Sequence, residues 1–225
     1  MRNPEHKSAA SLFPVLGLAC AAALILFAWL AAVVLGGHSL PFDDPVRTYV
    51  HEHSSPALTT LMRMFTALGT AGFFWVASTA VTMILAGLKR RAAALRFAII
   101  MAGAGVLDTM LKLAFHRPRP APFFNTPLPH SYSFPSGHAL LSLCLWGTLA
   151  ALLTARSRSL GFRIAAWALA VSLIGPIGFS RIYLGVHYPS DVLAGYAAGL
   201  VWVTIVAWGE RMLRRARAAH KVLGA

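Results

Sequence analysis

Six apolar runs, each about as long as a bilayer is thick, restrict what this chain can fold into more than any other feature. They cover residues 12–35, 59–88, 97–115, 139–155, 164–179 and 192–208. A hydrocarbon core of about 30 Å is crossed by about 20 residues of helix, and backbone inside it must satisfy its own hydrogen bonds. The runs predict an all-α, polytopic membrane protein with six transmembrane helices. Since no internal repeat or break in composition interrupts them, we expect one domain over residues 1–225.

Composition and charge favour the same class of protein. The chain is 57% hydrophobic and only 12% charged, about half the charged share of a soluble domain. A net charge of +13 could indicate a nucleic-acid partner, but the basic residues form short clusters between apolar runs and no single basic face. We therefore expect a lipid bilayer around the chain and no nucleic acid as partner. Cys20 and Cys144 lie inside apolar runs and are interpreted as buried hydrophobic residues.

The distribution of Lys and Arg predicts the orientation in the membrane. The N-terminal segment, the two short basic loops and the C-terminal tail hold 14 of the 20 Lys and Arg residues, all on one side of the six spans. Under the positive-inside rule this side is the cytoplasm. We expect a multi-pass protein of the bacterial inner membrane with both termini in the cytoplasm. Four of the other basic residues lie near the outer ends of the third and fifth spans and need another explanation: Lys112, Arg117, Arg119 and Arg181.

The stretch 180–191, between the fifth and sixth runs, spaces an arginine, a histidine and a carboxylate. Pro189 suits the first turn of a helix, which would place His187 just before that helix and Asp191 in its first turn. A carboxylate there can accept the proton of one imidazole nitrogen and leave the other nitrogen free as a nucleophile. Arg181 offers a planar set of donors for phosphate oxygens. Taken alone, this His–Asp spacing is more often that of a helix-capping pair.

Two further segments lie on the same predicted face of the membrane. The first, 112–120, closes the third run and carries Lys112 and Arg119. The second, 135–138, opens the fourth run, where Ser136 can cap the helix and Gly137 lets backbone N–H groups approach an anion. His138 in the same first turn can protonate a leaving oxygen. Cations, a helix N-terminus and protonatable groups together predict a site for a phosphate ester.

The three segments together resemble the type 2 phosphatidic acid phosphatase (PAP2) family of membrane lipid phosphatases. The pattern Lys-x6-Arg-Pro, Pro-Ser-Gly-His and Ser-Arg-x5-His-x3-Asp is matched without a departure over residues 112–191. The resemblance implies a PAP2-type helical bundle that needs neither a metal nor a cofactor. It implies that His187 is the nucleophile, that Asp191 orients it and that His138 is the general acid. It also implies five phosphate-binding residues: Lys112, Arg119, Ser136, Gly137 and Arg181.

Several neighbouring polar residues have plainer interpretations. Lys112 could pair with Asp108, one turn earlier on the same helix face, or present a free ammonium group, and both arrangements allow phosphate binding. Arg117 also precedes a proline, but the family spacing favours Arg119, and we expect Arg117 to meet lipid headgroups. The remaining polar residues of these loops are interpreted as solvated: Asp43, Asp44, His51, Glu52, His53, His116 and His130.

The resemblance implies an integral membrane phosphatase that hydrolyses a lipid phosphate or diphosphate through a phosphohistidine intermediate. Candidate substrates are undecaprenyl diphosphate, phosphatidylglycerol phosphate and phosphatidic acid, and an outward-facing site favours the first. One rival is an enzyme like the vanadium haloperoxidases, whose vanadate site the same motifs resemble, but those enzymes are soluble. A second rival is a non-catalytic binder or transporter of anionic lipids, which would not need both histidines. The sequence predicts neither the lipid tail nor the oligomeric state.

Overall fold

The computed structural model describes the backbone of residues 4–223 and the side chains of residues 15–219, and within these limits it contains helices and no strand. The prediction of an all-α membrane bundle is confirmed. The nine α-helices of the described chain are α1 (Pro4–Leu35), α2 (Asp43–Glu52), α3 (Pro56–Ala67), α4 (Ala71–Gly87), α5 (Arg91–Phe115), α6 (Gly137–Ser142), α7 (Thr148–Thr154), α8 (Leu160–Tyr183) and α9 (Pro189–Leu223).

Five spans are long and apolar enough to cross a membrane: Val15–Leu35 of α1, α5, the segment Gly137–Thr154, α8, and Pro189–Ala219 of α9. The predicted second span, 59–88, is not one continuous helix. It is divided into α3 and α4, which are bent by 50° and make a sixth span only if they are counted together. The chain breaks at Gly69, where any side chain would collide with the His138 ring, and Thr70 then caps α4 by accepting from the Phe73 N–H.

The other helices extend beyond the apolar runs that predicted them. The third predicted span is α5, which begins at Arg91 instead of 97. The sixth is α9, which continues through the basic tail to Leu223 instead of ending at 208. At about 1.5 Å per residue, α9 is roughly 50 Å long, which exceeds the bilayer core. Hydropathy marks where lipid contact ends, whereas backbone hydrogen bonding continues a helix into water wherever its residues tolerate it.

The segment 137–154 is the central element of the bundle. It consists of α6, one π-helical turn (Leu143–Gly147) and α7. Of its 18 residues, 56% are buried inside the protein, against 11% of the most apolar 18 residues of α8. It packs closely on α9 because Gly195 has no side chain, and a Cβ there would lie 2.5 Å from the Ser136 carbonyl oxygen. The N-terminus of α6 is thereby held inside the bundle next to the start of α9.

The loops 36–55, 116–136 and 184–188, together with α2, cover one end of the bundle, here called the motif end. The loop 116–136 is tied down by backbone hydrogen bonds from Phe123 to Leu184 and from Ser133 to Arg117, both 2.9 Å long. Phe124 stacks on Tyr183 at the end of α8 with ring centroids 5.4 Å apart. These contacts bring the three motif segments to one place although the loop contains no regular structure.

Candidate active site

All eight residues that the sequence singled out lie together at the motif end. Lys112 comes from the last turn of α5, and Arg119 from the loop that follows it. Ser136, Gly137 and His138 start α6, and the Ser136 N–H donates to the Asp191 carbonyl at 2.9 Å. Arg181 lies in the last turn of α8, next to the segment that carries His187 into α9. The predicted place of His187, just before a helix that begins at Pro189, is confirmed.

His187 is held between a carboxylate and a guanidinium. Its Nδ1 lies 3.3 Å from Oδ2 of Asp191, and its Nε2 lies 2.9 Å from Nη1 of Arg119. A guanidinium has only donors, so Nε2 must be the acceptor and the ring proton must be on Nδ1, where Asp191 accepts it. This arrangement fixes the tautomer that leaves a lone pair on Nε2.

The charge state of His187 agrees with this tautomer. The ring is 2% exposed, and burial lowers the pKa of His187 from 6.5 to about 3, although Asp191 acts in the opposite direction. Burial disfavours the charged form of a base. The imidazole is therefore neutral, and able to act as a nucleophile, throughout the physiological pH range.

Asp191 is fully buried, and both of its carboxylate oxygens accept hydrogen bonds. Oδ2 accepts from the Ser133 hydroxyl and, at 2.9 Å, from the Tyr188 N–H, in addition to His187. Oδ1 lies 2.6 Å from Nη1 of Arg117. A carboxylate bonded on every side cannot rotate, so the orientation of His187 is set before any substrate arrives.

Arg117 corrects the expectation that it would meet lipid headgroups. Its side chain is 7% exposed and bridges two buried carboxylates, Asp191 and Asp43, the latter at 2.9 Å. Burial opposes the charge, but the carboxylates outweigh it and raise the pKa of Arg117. The guanidinium also lies over the Tyr188 ring, 4.1 Å from its centroid. Two carboxylates and a ring that faces the cation compensate the buried charge.

Asp43 corrects a second expectation, since it is not a solvated loop residue. It begins α2, is completely buried, and accepts from the Ser190 N–H at 2.9 Å and the Ser190 hydroxyl at 2.7 Å. One signal in the sequence pointed to such a partner. Arg117 lies outside the cytoplasmic basic clusters, and a cation there needs a carboxylate or another anion to pair with. Asp44 is exposed as expected and pairs with Arg47 at 3.0 Å, and His116 and His130 are exposed too. Asp43, Arg117, Asp191 and His187, with Ser133 and Ser190, are called the nucleophile half of the site.

The other wall, called the phosphate half, consists of Lys112, Ser136, Gly137, His138 and Arg181. Its side chains differ from those of the nucleophile half in how fully their polar atoms are hydrogen-bonded. Three of its polar atoms are buried and have no hydrogen-bond partner among the described residues: Ser136 Oγ, His138 Nε2 and Arg181 Nε. Such atoms cost about 1–3 kcal/mol each unless something bonds them, and a phosphate oxygen would supply the acceptor that the arginine needs.

Ser136 therefore does not act as the predicted helix cap. It occupies the N-cap position of α6, but its hydroxyl makes no capping hydrogen bond. Its N–H and carbonyl are both used, by Asp191 and Leu140, so the backbone is fixed while the side chain stays available. The hydroxyl lies at the positive end of a buried helix, where an anion is stabilised.

Lys112 is paired with Asp108, which settles an alternative that the sequence left open. The ammonium lies 2.6 Å from Asp108 Oδ2, and Arg119 and Arg181 are close enough to interact with it electrostatically. Gly137 faces this pair, since a Cβ there would lie 2.9 Å from Lys112 Nζ and 2.8 Å from Asp108 Oδ1. Glycine thus leaves a gap between the start of α6 and the lysine.

The two histidines belong to different walls. The His138 ring lies against Gly69, Ile177 and the Thr66 backbone, at the bend between α3 and α4. Arg181 reaches the same place, with Nη1 bonded to the Thr66 hydroxyl. His187 instead faces Arg119 and the 116–136 loop. A tetrahedral anion between the walls would have a nucleophile on one side and a proton donor on the other. Within the described residues no three His, Cys, Asp or Glu side chains form a metal-binding group.

Comparison with known proteins gives consistent results. A model of the PAP2 superfamily matches residues 93–215. The undecaprenyl-diphosphatase of Sulfolobus acidocaldarius is 28% identical over 191 residues, 81% of this chain and 86% of that protein. Phosphatidylglycerophosphatase B of Bacillus subtilis is 27% identical, over 86% of this chain and 95% of its own. The crystal structure of a transmembrane PAP2-type phosphatidylglycerolphosphate phosphatase from Bacillus subtilis superposes with a TM-score of 0.73 at 25% identity, covering 86% of this chain and 96% of that chain.

Proposed function

The chain belongs to the PAP2 superfamily and is a multi-pass membrane phosphatase, and from that premise we propose that it hydrolyses lipid phosphates through a phosphohistidine formed on His187. One observation carries the proposal above the others. Nε2 of His187 accepts a hydrogen bond from Arg119, which identifies it as the neutral, unprotonated nitrogen. A binding protein has no need of a buried neutral imidazole beside a cluster of cations.

In the first step the Nε2 lone pair of His187 attacks phosphorus. An N–P bond forms, the bond from phosphorus to the leaving oxygen breaks, and that oxygen takes a proton from His138. Asp191 accepts a hydrogen bond from Nδ1 and so stabilises the positive charge that develops on the ring. Arg119, which bonds Nε2 in the resting site, turns its donors to the phosphate oxygens as the nitrogen becomes bonded to phosphorus.

In the second step water attacks the phosphohistidine. His138, now deprotonated, takes a proton from the water, the P–N bond breaks, and the electron pair returns to Nε2. Orthophosphate leaves, and both histidines regain their starting states. The equatorial oxygens of both transition states face Lys112, Arg181, the Ser136 hydroxyl and the N-terminus of α6, which act as fixed positive charges. General acid catalysis by His138 contributes about 10²–10⁴-fold.

We assign the site to the outer face of a bacterial inner membrane, with both termini in the cytoplasm. The count of 14 of 20 Lys and Arg at the opposite end supports this orientation. The structure also accounts for the exceptions at the motif end, because Arg47, Arg117, Arg119 and Arg181 are bonded to the protein there. Labelling with an impermeant maleimide tests the orientation in a variant that lacks Cys20 and Cys144. His130→Cys should react in spheroplasts and Arg158→Cys only after permeabilisation, and the reverse pattern would contradict the assignment.

The substrate class is tested by phosphate release from purified protein in detergent. The panel consists of undecaprenyl diphosphate, phosphatidylglycerol phosphate and phosphatidic acid, with a water-soluble sugar phosphate as control. We expect release from the lipids and little from the sugar phosphate, because the site opens at the end of a membrane bundle. Release from the sugar phosphate alone would contradict a lipid phosphatase.

A further inference from the structure

A cavity of about 320 Å³ lies beside Arg181, and none of the other seven predicted site residues lines it. Helix α3 contributes Arg63 and Thr66, α8 contributes Arg181, and Leu184 follows that helix. The loop 116–136 closes the cavity with Asn125, Thr126 and Pro127. Most of the wall can therefore donate hydrogen bonds.

The charges of this wall are all positive. Among the side chains of residues 15–219, no acidic one lines the cavity. Arg181 is 6% exposed, and it has no ion-pair partner among the side chains of residues 15–219. Arg63 is exposed, and its one hydrogen bond is a long one, 3.5 Å from Nη2 to the Phe124 carbonyl. Arg181 is a buried cation without a carboxylate, and such a cation is expensive unless it is paired. The exposed Arg63 adds a second positive charge to the same cavity, so the two together indicate an anionic ligand.

The cavity lies on the side of the leaving group. Thr66 lines it and also adjoins the His138 ring, while Arg63 is one helical turn before Thr66 on the same face of α3. His138 protonates the leaving oxygen in the proposed mechanism. Whatever is attached to that oxygen therefore extends toward Arg63, whereas the transferred phosphate lies between His138 and His187.

We propose that this cavity is a second phosphate subsite, which binds a phosphate that remains on the leaving group. The inference rests on the proposed function and deepens it: the preferred substrates are lipids with two phosphates, either a diphosphate or a phosphate monoester whose leaving group contains a phosphodiester. Arg181 is shared between the subsites, and Arg63 belongs to the second alone. A lipid with one phosphate leaves a neutral alcohol or ester opposite Arg63 and gains nothing from it.

Four lipids test the proposal as two matched pairs with equal tails. One pair is farnesyl diphosphate and farnesyl phosphate, and the other is phosphatidylglycerol phosphate and phosphatidic acid. The readout is the ratio of kcat/KM for the two-phosphate lipid over its one-phosphate partner. In Arg63→Gln we expect this ratio to fall about tenfold, the typical size of one charge-assisted hydrogen bond at an exposed site. A fall in the first pair alone identifies a diphosphate, and a fall in the second alone identifies the phosphodiester.

Controls separate this result from a general loss of activity. Arg63→Lys keeps the charge and should restore most of the ratio. Added salt should reduce the difference in this ratio between the wild type and Arg63→Gln. His130→Gln changes an exposed residue of the same loop that does not line the cavity, and it should leave both ratios as in the wild type. An unchanged ratio in Arg63→Gln, in both pairs, would overturn the inference alone. If the wild type released phosphate from none of the four lipids, the proposed function would fail with it.

Discussion

The two halves of the candidate active site differ in how fully their polar groups are bonded. In the nucleophile half, the carboxylates of Asp43 and Asp191 and the guanidinium of Arg117 bond one another or neighbouring hydroxyl and backbone groups. In the phosphate half, Ser136, His138 and Arg181 each keep a buried polar atom that no group in the described part of the chain bonds. One half is complete without substrate, and the other is completed by it.

This difference shows how a site can combine a rigid nucleophile with strong binding of the transition state. Groups that are already bonded hold the His187 ring in one orientation, so in the proposed mechanism only the Arg119 donors turn when the phosphate arrives. Groups that have no partner in the protein gain more from the phosphate than they would if a protein group already bonded them. Each half therefore predicts its own response to mutation.

The largest effect should follow from removing the nucleophile. His187→Ala deletes the atom that forms the N–P bond in the proposed mechanism, and turnover should fall to background for every substrate. Wild-type enzyme quenched during turnover should contain an acid-labile, base-stable phosphoprotein, and the variant should contain none. Substantial turnover in His187→Ala, or phosphate trapped on another residue, would refute the assigned role.

A smaller and more selective loss is expected in the phosphate half. His138→Ala removes the proposed general acid, and such a group is worth about 10²–10⁴-fold for a poor leaving group. The loss should shrink when the leaving group needs little protonation, as with p-nitrophenyl phosphate or a diphosphate. The measurement compares kcat/KM for good and poor leaving groups in the wild type and in His138→Ala. An equal loss for every leaving group would show that His138 acts in binding and not in proton transfer.

Asp43→Asn tests whether the nucleophile half depends on a residue outside the three motifs. The change removes the charge that holds Arg117 from one side, so that Arg117 fixes Asp191 less firmly. We expect kcat to fall about tenfold to a hundredfold with KM little changed, because no group that touches phosphate is altered. Asp44→Asn is the matched control, since Asp44 is adjacent but 65% exposed and bonded only to Arg47 in a surface pair.

If Asp43→Asn raised KM and left kcat unchanged, Asp43 would belong to substrate binding and the division into halves would be wrong. Arg117→Lys provides a second test of the same link. Lysine keeps the charge but cannot bridge two carboxylates with a planar fork, so it should reproduce the loss in kcat. Thermal unfolding of each variant separates this effect from loss of the fold.

The titration of His187 predicts a pH dependence of stability. The folded protein holds the pKa of His187 at about 3, and the unfolded chain has the ordinary value of 6.5. Between these values the unfolded chain binds more protons, so stability is complete above pH 6.5 and decreases as pH falls toward 3. From pH 6.5 to 4.5 the loss is about 2–3 kcal/mol. His187→Gln cannot titrate, and its Tm should fall less over this range; equal slopes would contradict the low pKa.

The smallest expected effect is on metal dependence. Lys112, Arg119 and Arg181 with the N-terminus of α6 supply positive charge around the phosphate, so excess chelator should leave activity unchanged. Vanadate should inhibit and should raise Tm by occupying the phosphate half. The rise should persist in Asp43→Asn and disappear in Arg181→Ala. Loss of activity in chelator and its recovery with Mg²⁺ would contradict the mechanism.

The sequence alone predicted the class of fold, which is confirmed, and eight site residues, which the structure brings together at the motif end. Apolar runs report directly on lipid contact, and they predicted the all-α membrane bundle. The spacing of Pro189 and Asp191 predicted the helix that presents His187, because the effect of proline on a helix start is local. The three motifs carried the family resemblance within residues 112–191.

Tertiary structure decided which polar groups meet. Arg117 is 74 residues from Asp43 and 74 from Asp191 in the chain, and nothing within a helical turn of it indicates either partner. Gly69, at the bend between α3 and α4, likewise packs against the His138 ring, from a helix far along the chain. Ser136 had the residue type and position of a cap, yet its hydroxyl caps nothing. Helix formation and lipid contact depend on neighbours in sequence, whereas the partner of a buried charge is chosen by how whole helices and loops pack.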